Sequence, residues 1–195
     1  MSLAGNSVFT VDQSSEFLGP ARELTALSLH QAEFMVADIY RLPYHLHQGF
    51  DLALITIGVL NWMPDLPGFF ASVSATLRPG GCLLIYETHP FLEMFEPEAS
   101  DPYQLAYSYF RPAPLISEAA IVYELQNAQV REKVSHSYWF IHSVSDILAA
   151  IIGSGQQIMH FKEYPHNNRE QVYDRYQGQA AQLPMCYSLV AKKAL

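Results

Sequence analysis

FDLALITIGVLNWMPDLPGFFASVSATLRPGGCLLIYE, residues 50–87, holds two apolar runs and a helical pattern between them. The first run, DLALITI at 51–57, does not alternate with polar residues. An unbroken run of this length reads as a central parallel strand, covered by helices on both faces. Leu66, Phe69, Phe70, Val73 and Leu77 then recur at i, i+3, i+4, i+7 and i+11. That spacing puts one apolar stripe along a helix. Asp65 stands before it, where a cap or first-turn acid suits the helix dipole. RPGG at 78–81 ends the helix and turns the chain, and CLLIY at 82–86 is a second buried strand. Strand, helix and strand in such close order predict a parallel pair with a helical crossover.

The same alternation extends toward the amino end. Phe34–Ala37 reads as a strand that ends in an acid, Asp38, and IYRLPYHLHQG at 39–49 as a loop. Val8–Val11 is a further strand ending in an acid, Asp12. Phe17, Leu18, Ala21 and Leu24 form a helical face after it, with Ser14 or Ser15 as its cap. Gly19-Pro20 interrupts that face, and proline at a first helical turn would start the helix at Pro20. Toward the carboxyl end, Ser143 or Ser145 caps a helix carrying Ile147, Leu148, Ile151 and Ile152, and Gly153 and Gly155 stop it. Gln157–Tyr164 and Met185–Ala191 read as two closing strands. Residues 91–142 break the pattern and are rich in Tyr, Trp and Phe. Ile121–Leu125 and Val134–Ile141 suit an antiparallel pair, in an insertion lying over the carboxyl ends of the parallel strands. Ligands bind at those ends in open α/β sheets. The chain is expected to form a single domain over 1–195.

Composition narrows the function. The chain has 195 residues, half of them hydrophobic and 15% charged, which fills a sizeable core. Its formal net charge is −8 and it has no Lys/Arg cluster, so no nucleic-acid partner is expected. No apolar run is long enough to span a bilayer, and the start lacks the pattern of a signal peptide, so no membrane partner is expected. Cys82 and Cys186 lie far apart on apolar segments and read as free thiols in a reducing compartment, the cytoplasm. His45 and His47 are spaced like strand ligands without a third nearby, so no metal is expected.

The motifs together resemble the class I methyltransferases that use S-adenosylmethionine. VDQSSEFLGPAREL (11–24) looks like that family's second motif, VADIYRLP (36–43) like its third, and residues 50–87 like its fourth and fifth. The resemblance covers roughly 7–91 and 142–193, and the RPGG turn before a strand is typical of it. It implies a Rossmann-like, mostly parallel sheet with helices on both faces and a carboxyl-terminal antiparallel strand pair. The family begins with a strand and a glycine-rich loop, and the quoted motifs start at the second strand. The first βα unit is therefore expected to be missing, with truncation of a longer enzyme as the expected origin. That would leave two buried strands with unpaired backbone groups, to be repaired by a sliding strand or by a homodimer partner.

The resemblance implies S-adenosylmethionine as cofactor and a small-molecule methyl acceptor. Asp12, with Gln13 beside it, would bind the ribose hydroxyls. Asp38 and Ile39 would meet the adenine. Thr56 and Gly58 would lie beneath the sulfonium, with glycine allowing close approach. Glu87 and His89 leave the fourth strand toward the same edge, where a base could take a proton from the acceptor. His136 and His142 flank an aromatic strand that could line an acceptor pocket. A competing expectation is a non-catalytic fold of the same type that acts as a binding or assembly subunit, which the missing glycine loop motivates. A nicotinamide-dependent oxidoreductase shares the acid after the second strand but fits RPGG and the closing strands poorly.

Overall fold

The computed structural model describes residues 7–27, 32–117, 136–168 and 170–195. Their elements run β1 (Val8–Asp12), α1 (Ser15–Ala26), β2 (Ala32–Val36), β3 (Phe50–Thr56), α2 (Leu66–Thr76) and β4 (Leu77–Thr88). Then come β5 (Leu115–Ser117), β6 (Ser137–Trp139), α3 (Val144–Gly153), β7 (Gln156–Tyr164) and β8 (Cys186–Lys193). The α/β class and the antiparallel closing pair agree with the sequence reading. Among the described residues, no helix is long and apolar enough to cross a membrane.

The sheet is in two pieces. β1 and β2 pair in parallel, with Asp12 opposite Val36. β3, β4, β8 and β7 form a second sheet in that order. β3 and β4 are parallel, and β8 runs antiparallel to both its neighbours. The two pieces share a polarity. At the starts of β1 and β3, the Phe9 and Phe50 rings lie 5.7 Å apart. Beyond the ends of β2 and β3, the Tyr40 hydroxyl donates to the Asp65 carbonyl at 3.1 Å and accepts from the Asp65 N–H at 3.2 Å. The carboxyl ends of all four parallel strands thus lie toward one edge of the molecule.

One face of the larger sheet is packed and, among the described residues, the other is partly exposed. Leu83 and Ile85 of β4 and Leu189 and Ala191 of β8 are buried against Phe70 and Val73 of α2 and Ile147 and Ile151 of α3. Each such side chain contributes roughly 1.5–3 kcal/mol by leaving water. Residues on the opposite face, Leu52 and Leu54, are 36% and 45% exposed. The uniform apolar run predicted cover on both faces of β3, and the structure differs. β3 is an edge strand among the described residues, and α1 packs on β1 and β2 instead.

Local chemistry explains the helix ends. Asp65 accepts from the Gly68 N–H at 3.1 Å and caps α2, as its position suggested. Ser143 and Asp146 form a reciprocal capping box at the start of α3. α1 departs from expectation: it begins at Ser15 and carries Pro20 inside it. Asp12 Oδ1 accepts from the Ser14 N–H at 2.8 Å, and Ser14 Oγ accepts from the Phe17 N–H at 3.4 Å. These two bonds set the first turn ahead of the proline. β4 also starts earlier than predicted and takes RPGG into the strand, with Leu77 already paired to Phe50. A Cβ on Gly81 would come within 3.0 Å of the Arg78 carbonyl oxygen and 3.2 Å of that of Phe50, so only glycine fits unaltered. In the 91–142 region, β6 pairs antiparallel with β5. The predicted strand at 121–125 lies outside the described residues.

Candidate active site

The acids read from the sequence end adjacent strands. Asp12 closes β1, and its carbonyl accepts from the Ala37 N–H at 3.0 Å, so the chain carries Asp38 out past the same edge. Asp12 is half-buried, while Gln13 and Asp38 are exposed. Asp38 Oδ1 accepts from the Tyr40 N–H at 2.9 Å and caps a short 3-10 helix over Ile39–Arg41. The Ile39 carbonyl accepts from Ser72 Oγ, which ties this loop to α2. Thr56 ends β3 opposite Tyr86. Gly58 follows with φ +84°, a conformation that favours glycine. The structure thus brings Asp12, Gln13, Asp38 and Ile39 to the end of the β1–β2 pair, and Thr56 and Gly58 to the end of β3.

Glu87 organises the turn after β3. Its carboxylate accepts from the N–H groups of Gly58, Val59 and Leu60 at 2.5, 2.9 and 3.3 Å. This fixes a backbone that would otherwise hold three unpaired donors. Burial pushes the Glu87 carboxyl up to about 7, against the pull of those three N–H groups, and the negative charge of Glu170 adds to the rise. His89, the other sequence candidate, is buried with both ring nitrogens engaged. Nδ1 accepts from the Phe91 N–H at 3.1 Å, and Nε2 lies 2.9 Å from Glu163. Burial lowers its pKa, although Glu163 pulls the other way.

A small cavity of about 10 Å³ lies beside Glu87, lined in part by Glu87, Thr88, Glu93, His142 and Tyr187. It has room for one water-sized group. Glu93 is buried in its wall and accepts from Trp139 Nε1 at 2.7 Å and from the Tyr173 hydroxyl at 3.2 Å. Burial pushes Glu93 up to about 7 as well, and Glu170 raises it further. Glu170 accepts from the Thr88 hydroxyl, and Thr88 Oγ1 accepts from Asn168 Nδ2 at 2.8 Å. Above Gly58 the surroundings are also defined: a Cβ there would lie 3.9 Å from the Trp139 ring and 4.0 Å from Glu170 Oε1. Trp139 in turn meets Trp62 edge to face at 5.2 Å. The end of β3 therefore leads directly to an aromatic and acidic recess.

His142 lines the cavity and its Nε2 lies 2.8 Å from the Met63 carbonyl. His136 is exposed. A groove of about 540 Å³ runs outside, between the starts of α2 and α3, and shares His142 with the cavity. Among the described residues, no three His, Cys, Asp or Glu side chains gather as a metal site. Sequence reasoning missed Thr88, Glu93, Asn168, Glu170, Tyr173 and Tyr187. One signal was available. β4 and β8 pair antiparallel, which places Tyr187 directly opposite Glu87.

Comparison with known proteins bears on this arrangement. Residues 1–85 match the profile of the family described as "Methyltransferase domain". No curated protein matches the chain. A SAM-dependent methyltransferase structure from Methanosarcina mazei is similar over 100% of this chain and 85% of its own, with 16% identity and a TM-score of 0.65. One from Mesorhizobium loti matches over 96% and 80%, with 18% identity and a TM-score of 0.60. The chain has the class I methyltransferase fold. The fold does not fix the reaction: the [4+2]-cyclase SpnF is also similar, over 97% of this chain and 66% of its own, with 16% identity and a TM-score of 0.59.

Proposed function

We propose that the chain is an S-adenosylmethionine-dependent methyltransferase for a small-molecule acceptor. The observation that carries this reading is the placement of Asp12 and Asp38 at the ends of two paired parallel strands, with the left-handed Gly58 ending β3 toward the same edge. Asp12 is the residue to hold the ribose hydroxyls, because a carboxylate accepts both at once. Gln13 stands beside it. In this reading Asp38 and the Ile39 backbone would meet the adenine, and Thr56 and Gly58 the sulfonium end.

The cofactor supplies an activated methyl group, so this chain's residues have to position, desolvate and manage a proton. The Glu87-bound turn at 58–60 holds the backbone under the donor in one shape. Trp139, edge to face with Trp62, packs beside Gly58 at the end of β3. Glu87 lines the cavity next to this turn and His89 follows on the same strand end. The two free thiols, Cys82 and Cys186, support a reducing compartment, the cytoplasm. The edge of β3, unpaired among the described residues, supports a homodimer.

Calorimetric titration with S-adenosylhomocysteine tests the cofactor reading. Micromolar binding is expected, and Asp12→Ala should weaken it by about 1.5–3 kcal/mol, the worth of a hydrogen bond to a charged group. Absence of binding at millimolar ligand would sink the assignment. Unchanged affinity in the variant would move the ribose site elsewhere.

A further inference from the structure

We propose that the recess beside Gly58 recognises an ammonium group, so that the methyl acceptor is a small amine that docks as a cation. One N–H proton would pass to a carboxylate of the recess before the freed lone pair could take the methyl group, and the electrons of the broken bond would stay on the cofactor's sulfur. The inference rests on the methyltransferase reading for the word acceptor, while the recess itself stands on its own geometry. Three carboxylates converge there. Glu87 and Glu93 line the cavity, and Glu170 binds the Thr88 hydroxyl in its wall. The field of Glu170 reaches both other acids. Arg111 offsets part of this charge at Glu93, and its Nη1 is buried without a partner. Arg111 also donates to the carbonyls of Ala113 and Trp139 at 2.8 and 3.3 Å and lies over the Tyr107 ring. His142, also in the wall, has its pKa lowered by burial and adds no positive charge near neutrality.

The second observation is a pair of polar atoms with nothing to bind. The Tyr187 hydroxyl belongs to a side chain only 1% exposed that lines the cavity, and it has no hydrogen-bond partner. Asn168 is 2% exposed and its Oδ1 is likewise unpartnered, beside the Thr88 hydroxyl to which its amide donates. A buried polar group without a partner is costly and marks a place where something binds. An ammonium brings three N–H donors and no acceptor. Of the two unpartnered atoms, the Tyr187 hydroxyl belongs to a residue lining the cavity, and its oxygen is able to accept. Trp139 adds a ring at the mouth, where cations are attracted to the face of an indole. An anionic acceptor would face three acidic side chains, and an alcohol would bring a single donor where an ammonium brings three.

Trp139 and Trp62 are the chain's two tryptophans, so intrinsic fluorescence reads the recess directly. The test titrates the full chain, saturated with S-adenosylhomocysteine, with propylammonium chloride, 1-propanol and sodium propionate at constant ionic strength. Propylammonium is expected to bind at least about tenfold more tightly than propanol, with propionate inert, and Glu93→Gln and Glu170→Gln should each remove roughly that tenfold advantage. Propanol binding as tightly as propylammonium would show a cavity for water or a neutral group and overturn the inference. So would the absence of any response, or Gln variants that keep the preference. Selectivity of the unaltered chain decides the matter even if a variant fails to fold. Calorimetry on the same sample separates the two readings. Homocysteine-cofactor binding without ammonium preference sinks only the amine. Ammonium preference without cofactor binding, measured in the ligand-free chain, sinks only the methyltransferase.

Discussion

Glu87 shows how far a single residue could be read in advance. Its place at the end of a strand, facing the ligand edge, was legible from the run CLLIYE. Its partners were not, because the three N–H groups it binds belong to residues 58–60 and only the crossover brings them back. Glu93 and Glu170 were invisible for the same reason, since they meet through Thr88, Trp139 and Tyr173 across large sequence separations. Their chemistry has a measurable sign. Glu87 and Glu93 are raised from 4.5 to about 7, so the folded chain holds more protons than the unfolded one between those values. The stability linked to them is complete below about 4.5 and is lost as pH rises through about 7. His89 and His142 are lowered from 6.5 and act oppositely, but only below that value. Above about pH 6.5 the carboxylates act alone, so the melting temperature should fall from there to about pH 8. Glu93→Gln keeps an acceptor for Trp139 and an amide for Tyr173, and should make this fall shallower in calorimetry. An unchanged slope would mean that Glu93 is already ionised throughout that range.

At the scale of elements, local signals were read well and absent neighbours were not. The caps Asp65 and Ser143 and the periodic faces of α2 and α3 depend on residues a few positions apart, and the structure reproduces them. The closing strands β7 and β8 fall within a residue or two of their predicted bounds. β3 was misread because an apolar run reports a preference for burial, while the covering element must come from elsewhere. Pro20 was misread because Asp12 and Ser14 begin the helix before it. RPGG reads as a turn and lies within β4 as an irregularity: the register jumps from Phe50–Leu77 to Leu52–Cys82, Gly80 has φ +75°, and Gly81 packs against backbone oxygens that cannot swing aside. Gly81→Ala should therefore cost about 1–3 kcal/mol, the usual range for overpacking a tight site. Chemical denaturation checks this, and a loss under about 0.5 kcal/mol, as at ordinary surface sites, would show that the ladder yields easily.

For the whole molecule, the division of the sheet matters most. The β1–α1–β2 unit carries Asp12 and Asp38, while the larger sheet carries Gly58 and the acidic recess. The two halves of the site are joined by side-chain contacts that include Phe9 with Phe50, Tyr40 with Asp65 and Ser72 with the Ile39 carbonyl. The class of the fold was legible because alternation of strands and helices is a long-range pattern with a local signature. The division was not, since periodicity shows where strands are and says nothing of which edges meet. The partly exposed face of the larger sheet has a chemical handle of its own. Cys82 sits on it between Leu52 and Lys192 and is half-buried, whereas Cys186 is buried, bonded to the His166 carbonyl, and raised in pKa by that burial. Maleimide should label the native chain once, at Cys82, with Cys186 reacting only after denaturation, and mass spectrometry of the digested protein would read it. A native chain labelled at neither thiol would show that the face is covered in solution. The rate of one alkylation thus becomes a gauge of whatever comes to lie on that sheet.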